Sequence, residues 1–325
     1  KESRLANLSA APKSEGARMP NYAVVDLGSN SVRLVVYEVK NDRLAAYTNR
    51  DFKSLINDKV MAGLAAYVVD GAFSEAGVRR AVNVLKGHAK RAQYFGCKRI
   101  DVFATAVLRN ASNCNDAVAT IEAATGLTLS LLSARDEAHL GFAGATCDRT
   151  IEHGTLVDIG GGSTELTRIE GGHDFDNVSI GQGSLSSYTT FVQGILPAPN
   201  EMDAIVNAFC AKLATLPNPK TYRSPVMYGI GGSVRAAAKM HAQVFGENVR
   251  PKTMTAEGIR EILDLCRTNP DAFAHLALKA SAERIHTITP GCLVLSALMD
   301  SLDCELLEIC KYGVREGYLI ERVLG

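Results

Sequence analysis

The chain has 325 residues, of which 46% are apolar and 22% charged, and its formal net charge is zero. That length exceeds one ordinary core and suits two domains of roughly 150 residues with a cleft between them, while the composition excludes a disordered chain. With no net charge, no global field steers the protein to nucleic acid or to an anionic membrane, so an anion must be met by local groups.

Residues 1–20 read as a disordered leader, polar and alanine-rich, without the apolar centre of a signal peptide. Tyr22 to Val39 gathers Val, Leu and Tyr around a glycine turn, which predicts a strand, a tight loop at Gly28 to Asn30 and a second strand; Arg43 to Asn49 reads as a third. Ser74 to Phe95 carries an N-cap serine, apolar residues at helical spacing (Val78, Val82, Leu85, Ala89) and a Gly96 stop, the pattern of a helix. Strands over Ile100 to Thr105 and Leu127 to Leu132 then alternate with helices over Asn115 to Ala124 and Arg135 to Ala145, the order of an α/β domain spanning 21–148.

The order restarts in a second domain, 149–312. Strands are expected at Thr155 to Asp158, Glu165 to Ile169 and Val178 to Ile180, a helix over Asn200 to Leu213, a strand at Val226 to Gly229 and a helix over Ser233 to Phe245. Thr255 to Leu324 reads as mostly helical apart from a short buried strand at Leu307 to Cys310, and 313–325 as a closing helix that packs back on the first domain. The restart is also a repeat of residues. Val25-Asp26-Leu27-Gly28-Ser29-Asn30-Ser31 lies over Val157-Asp158-Ile159-Gly160-Gly161-Gly162-Ser163 with Val, Asp, Gly and Ser in register, and Leu34 and Leu166 follow at the same offset. Duplication accounts for this better than chance.

Each of these loops exposes consecutive backbone N–H groups, and the missing Cβ atoms let an anion come close. Ser29, Asn30 and Ser31 add side-chain donors on one side, and Ser163 and Thr164 on the other. Either loop alone could be a plain hairpin turn; two facing each other would grip a phosphate chain. Asp26 and Asp158 end apolar strands, where a carboxylate needs a cation or donors, and hydrated Mg²⁺ (with Mn²⁺ as the alternative) is the natural partner. Glu165 starts the next strand and joins them as a metal-binding or water-orienting candidate. Gly231, Gly232 and Ser233 form a third glycine loop, which reads either as an anion site at a helix start or as close strand–helix packing. Arg109 follows a strand end and suits phosphate, or sits on the surface. Glu137 reads by spacing alone as a helix-start carboxylate. None of the seven histidines pairs at metal-ligand spacing, and the eight cysteines are scattered as in a reducing compartment, so a cytoplasmic location is expected.

Five motifs in order carry a resemblance. Asp26 to Ser31, Ala104 to Arg109, Ser133 through Glu137-Ala138, Val157 to Glu165 and Gly229 to Arg235 resemble the exopolyphosphatase and guanosine pentaphosphate phosphatase family of the actin, sugar kinase and heat-shock ATPase superfamily. Gly313-Val314-Arg315-Glu316-Gly317 is similar to its closing helix. The resemblance implies two duplicated ribonuclease-H-like domains, actin-like, with the site in the interdomain cleft. It implies that Glu137 activates the attacking water, with Glu165 and Arg109 beside it in catalysis. It assigns phosphate contacts to Gly28 to Ser31, Arg109 and Gly160 to Ser163, and metal binding or water orientation to Asp158 and Glu165. The implied substrate is inorganic polyphosphate or guanosine pentaphosphate, and the implied assembly a homodimer. Many members carry a further helical domain beyond the point where this sequence ends, which shifts the expectation towards shorter polyphosphates or nucleotides; position 136 is Asp where the family often has a second Glu. An ATP-dependent kinase of the same superfamily, or a non-catalytic phosphate sensor, are the competing readings.

Overall fold

Valine-rich alternation builds the first hairpin. In the computed structural model, which describes residues 19–246 and 252–325, β1 (Asn21–Leu27) and β2 (Ser31–Val39) pair antiparallel, with Asp26 opposite Arg33. β3 (Phe52–Met61) extends this hairpin at its outer edge. A small hairpin of β4 (Val68–Val69) and β5 (Ala72–Phe73) leads into α1 (Glu75–Tyr94), capped by the Ser74 hydroxyl. β6 (Cys97–Ala104) returns parallel to β1. After α2 (Ala106–Arg109) and α3 (Cys114–Thr125), β7 (Leu129–Leu131) lies parallel to β6 and is followed by α4 (Ala134–Thr146).

The second sheet repeats the plan. β8 (His153–Ile159), β9 (Thr164–Glu170) and β10 (His173–Ile180) form an antiparallel meander, and α5 (Ser184–Phe191) and α6 (Pro199–Ala214) precede β11 (Val226–Ile230), which is parallel to β8. α7 (Gly231–Phe245), β12 (Thr253–Thr255), α8 (Ala256–Thr268), α9 (Pro270–Ser281) and α10 (Ile285–Ser301) lead to β13 (Leu306–Ile309), parallel to β11. The sheet orders are β3-β2-β1-β6-β7 and β10-β9-β8-β11-β13-β12. The first sheet therefore runs third, second, first, fourth, fifth in chain order, and the second runs third, second, first, fourth, sixth, with its fifth strand, β12, added at the edge beyond β13. This is the ribonuclease-H-like order in duplicate, the two-lobed actin-like fold that the family resemblance implied, and it bears out the duplication read from the repeated loops. Both loops lie at the carboxyl ends of the first strands, where open α/β sheets bind ligands.

The last elements tie into the first sheet. α11 (Val314–Tyr318) continues as a π-helical turn, Leu319–Leu324, and Tyr318 and Leu319 pack with Tyr22, Val24, Tyr37 and Phe103. α11 also lies directly on α4: a Cβ added at Gly144 would overlap the Gly313 carbonyl, and one added at Gly317 the Leu140 carbonyl. These glycines bring the two backbones together as no larger residue could.

One expectation needs correction, and two elements were not foreseen. Arg43 to Asn49 is not a strand, because Asp51 accepts from the Thr48 backbone and hydroxyl at 2.8 and 2.9 Å and closes a turn there. The third strand is instead β3, whose exposed Lys53 and Ser54 disguise it as a loop. α5 went unpredicted because Ser-Leu-Ser-Ser-Tyr-Thr-Thr-Phe has weak helix propensity, and it forms where Gly183 N donates to Ser186 Oγ at 2.8 Å. The leader's residues 1–18 lie outside the described residues.

Candidate active site

The two loops have the same internal geometry. Gly28 N donates to Ser31 O at 3.2 Å, and Gly160 N donates to Ser163 O at 2.9 Å. They meet rather than merely face each other: a Cβ at Gly161 would lie 3.2 Å from Ser29 Cβ, and one at Gly162 would lie 3.2 Å from Ser29 Oγ. The second loop is braced from behind, where Ser184 N and Leu185 N donate to the carbonyls of Gly160 and Gly161 at 2.9 Å each. Gly160 N is taken up in closing the turn, while the N–H groups of Gly161 and Gly162 have no backbone acceptor among the described residues. The third glycine loop is closely packed, as one of its two readings had it, and it also reaches the cavity. Gly231 has φ +85° and its Cα abuts the Asp158 carboxylate, so a side chain is excluded there; Gly231, Gly232 and Ser233 also line the same cavity.

That cavity has a volume of about 270 Å³ and lies between the lobes. Of the candidates, Asp26, Gly28 to Ser31, Glu137, Asp158, Gly160 to Ser163 and Gly231 to Ser233 line it. Arg109 and Glu165 do not. Arg109 sits behind Glu137, its Nη1 donating to Glu137 Oε2 at 2.8 Å and to Leu132 O at 3.2 Å. Glu165 is buried and accepts from Ser163 Oγ at 2.6 Å and Ser179 Oγ at 2.8 Å.

α4 explains how Glu137 comes free. Ser133 and Asp136 form its capping box, with Asp136 N donating to Ser133 Oγ at 3.0 Å and Ser133 N to Asp136 Oδ2 at 3.3 Å. Asp136 thus performs the helix-start role that spacing had offered to Glu137, and Glu137 turns into the cavity. Burial raises its pKa, as does the charge of Glu165, and the Arg109 guanidinium opposes the rise. Glu165 is pushed up for the same first reason. Burial also lifts Asp158, to about 6, against the pull of Arg235 and Arg315, and no described residue donates a hydrogen bond to its carboxylate.

The basic residues of the site were not foreseen. Arg33 on β2, Arg235 and Lys239 on α7, Arg284 in the 3₁₀ turn Ala282–Arg284 and Arg315 on α11 all line the cavity. They come from four widely separated places in the sequence, so no motif groups them; only the glycine loops hinted that an anion needs them. Burial, and then the nearby Arg315, pull Arg33 down to about 10. Asp26, expected to meet a metal, is instead paired with Arg315, whose Nη1 donates to Asp26 Oδ2 at 2.9 Å.

Among the described residues no group of three or more His, Cys, Asp or Glu could hold a metal. An ion of the Mg²⁺ type does not need such a group, since it takes one or two carboxylates and draws its other ligands from phosphate and water. Asp158, an oxygen donor in the cavity without a hydrogen-bond donor of its own, has the chemistry such an ion requires. No helix among the described residues is long and apolar enough to cross a membrane.

The Ppx/GppA phosphatase family model matches residues 35–325. The chain is 26% identical over 323 residues to exopolyphosphatase 1 of Mycobacterium tuberculosis, covering 92% of this chain and 87% of that protein. It is 25% identical over 331 residues to the guanosine-5'-triphosphate,3'-diphosphate pyrophosphatase of Vibrio cholerae, covering 95% of this chain and 61% of that protein. The crystal structure of an exopolyphosphatase from Cytophaga hutchinsonii is similar in fold, with a TM-score of 0.77 at 18% identity over 92% of this chain and 96% of the other.

Proposed function

Since the chain belongs to the Ppx/GppA phosphatase family, we propose that its interlobe cavity hydrolyses the terminal anhydride of inorganic polyphosphate and releases orthophosphate. The observation that carries this reading is the placement of Glu137, a carboxylate lining the same cavity as two phosphate-type loops and held from behind by Arg109. A carboxylate whose proton affinity is raised by burial is a better base than an ordinary one, provided it is ionised when substrate arrives.

Water held between Glu137 and the terminal phosphoryl group attacks phosphorus. Its proton passes to the Glu137 carboxylate, the bond from phosphorus to the bridging oxygen breaks, and the shortened chain departs with that oxygen and its charge. Backbone N–H groups of the two loops other than those of Gly28 and Gly160, which close the turns, receive the equatorial oxygens, and the cavity guanidinia offset the chain's charge. A divalent ion, Mg²⁺ in this reading, would be held by Asp158 and by the substrate's own oxygens, and when bound it supplies charge neutralisation at phosphate. Arg109 keeps the Glu137 carboxylate aimed at the cavity, and Glu165 supports Ser163 from beneath the second loop.

The similarity to the Vibrio protein favours one rival, guanosine pentaphosphate, whose terminal anhydride presents the same group to the same base. The test is phosphate release from short polyphosphate, long polyphosphate and guanosine pentaphosphate, with Mg²⁺ and with chelator. Glu137→Gln should lower kcat roughly 100- to 10,000-fold, the range for loss of a general base. Full activity in that variant would remove Glu137 from the reaction, and turnover of ATP with an acceptor but of no anhydride alone would replace hydrolysis by phosphoryl transfer.

A further inference from the structure

We propose that Arg315 is a substrate-binding residue delivered to the phosphate chain by α11, and that Asp26 is its positioning residue rather than a ligand of the metal. The inference rests on the phosphoanhydride reading of the cavity and deepens it. Asp26 ends β1 in the first loop and Arg315 stands near the end of the sequence, yet the two are joined by a 2.9 Å ion pair and both line the cavity. A carboxylate already neutralised by a guanidinium is a poor site for a second cation, because the incoming charge is repelled at close range. Asp158 has no such partner, which separates the two aspartates of the duplicated loop into different roles.

Arg315 is held for recognition in three ways. Asp26 is its one hydrogen-bonding partner among the described residues, so most of its N–H donors remain for a ligand. Its helix is fixed to α4, which carries Glu137, by the glycine contacts of Gly313 and Gly317, so the guanidinium and the base keep one spacing. Glu316 anchors the same turn, accepting from Tyr37 Oη at 2.6 Å and from Gly313 N at 3.0 Å. Arg33, Arg235 and Arg284 line the cavity with Arg315, a gathering of like charge that a polyanion relieves. The planar fork of an arginine matches two phosphate oxygens at once, as a lysine does not.

The test begins with tripolyphosphate binding measured by calorimetry in chelator, on Arg315→Gln, Arg315→Lys, Asp26→Asn and the Asp26→Asn/Arg315→Gln double variant. Arg315→Gln should weaken binding about tenfold or more, and Arg315→Lys, which keeps the charge and serves if the Gln variant does not fold, should recover only part of it. Asp26→Asn should weaken binding less, and the double variant should be no worse than Arg315→Gln alone, because Asp26 acts through Arg315. In phosphate-release assays the half-saturating Mg²⁺ concentration should stay unchanged in Asp26→Asn and rise in Asp158→Asn. Additive losses in the double variant would overturn the proposal, as would an Asp26→Asn variant that needs more Mg²⁺ while binding tripolyphosphate normally. If the wild type binds tripolyphosphate and releases no phosphate from any anhydride, the hydrolytic reading fails, while the binding arms still decide the role of Arg315.

Discussion

Glu137 and Asp158 line one cavity with Glu165 buried behind it, and burial is the first cause that raises the pKa of each carboxyl. Their arrangement serves a reaction and works against the fold. A carboxyl whose folded pKa lies above its unfolded value binds its proton more tightly in the folded state. Its favourable contribution is therefore present at low pH and is lost as pH rises from the unfolded to the folded value, for Asp158 from 3.8 to about 6. In metal-free buffer Glu137→Gln should accordingly be more stable than the wild type at pH 8, by on the order of 1 kcal/mol, with the gain shrinking at pH 5. Urea unfolding at the two pH values measures this, and an equal or lower stability at pH 8 would mean that Arg109 already compensates the buried charge. The sequence contains the Ser133-to-Glu137 segment but not this conflict. Local spacing offered the helix-start role to Glu137, and only the fold shows that Asp136 takes it, leaving Glu137 to Arg109.

α4 is the element on which the site depends, since it holds Glu137 in its first turn and meets α11 along the rest of its length. Gly317→Ala would drive a methyl group into the Leu140 carbonyl, and overpacking of this kind costs about 1–3 kcal/mol. Because the displaced helix carries Glu137, kcat should fall with the stability; denaturant melts and initial rates on one preparation check both, and loss of stability with kcat intact would show that α11 does not position the base. His139, on the outer side of α4, accepts a second test. Burial lowers its pKa, but Asp174 on β10 and Glu321 in the last turn, at 2.8 and 3.0 Å, raise it above 6.5 overall. The stabilisation is then fully present below the unfolded value and is lost as pH rises through the folded one. His139→Gln should cost stability at pH 6 and little at pH 9, which thermal melts across that range would reveal. Elements with strong periodicity or glycine punctuation, such as α1 and both loop hairpins, were legible in the sequence. β3 and α5 were not, because an edge strand with one polar face and a Ser/Thr-rich helix owe their form to neighbours distant in sequence.

At the scale of the whole molecule, a chain of zero net charge has sorted its charges in space, with Arg33, Lys239, Arg235, Arg284 and Arg315 turned into one cavity. Composition could exclude a global field but could not foresee this local one, which appears only when the duplicated sheets set β2, α7 and α11 around the same space. The lobes must hold together against that repulsion. One counterweight is the 2.6 Å ion pair between Lys59 on β3 of the first sheet and Glu283 in the turn before α10 of the second lobe. Lys59 is nearly buried, and after burial itself the nearby Arg284 and Arg33 disfavour its charge, with Glu283 opposing them. Glu283→Gln would leave Lys59 facing two guanidinia without a carboxylate between them, so the ligand-free lobes should separate and the radius of gyration from small-angle X-ray scattering should increase at low salt. Raising the salt shortens the Debye length from about 10 Å at 0.1 M to about 3 Å at 1 M and should reverse the expansion. Tripolyphosphate should do the same by occupying the cavity. Lys59→Met removes the exposed repulsion together with the pair, so it should expand less than Glu283→Gln under the same conditions; equal expansion of the two variants would assign the effect to the lost bond rather than to the unbalanced charge.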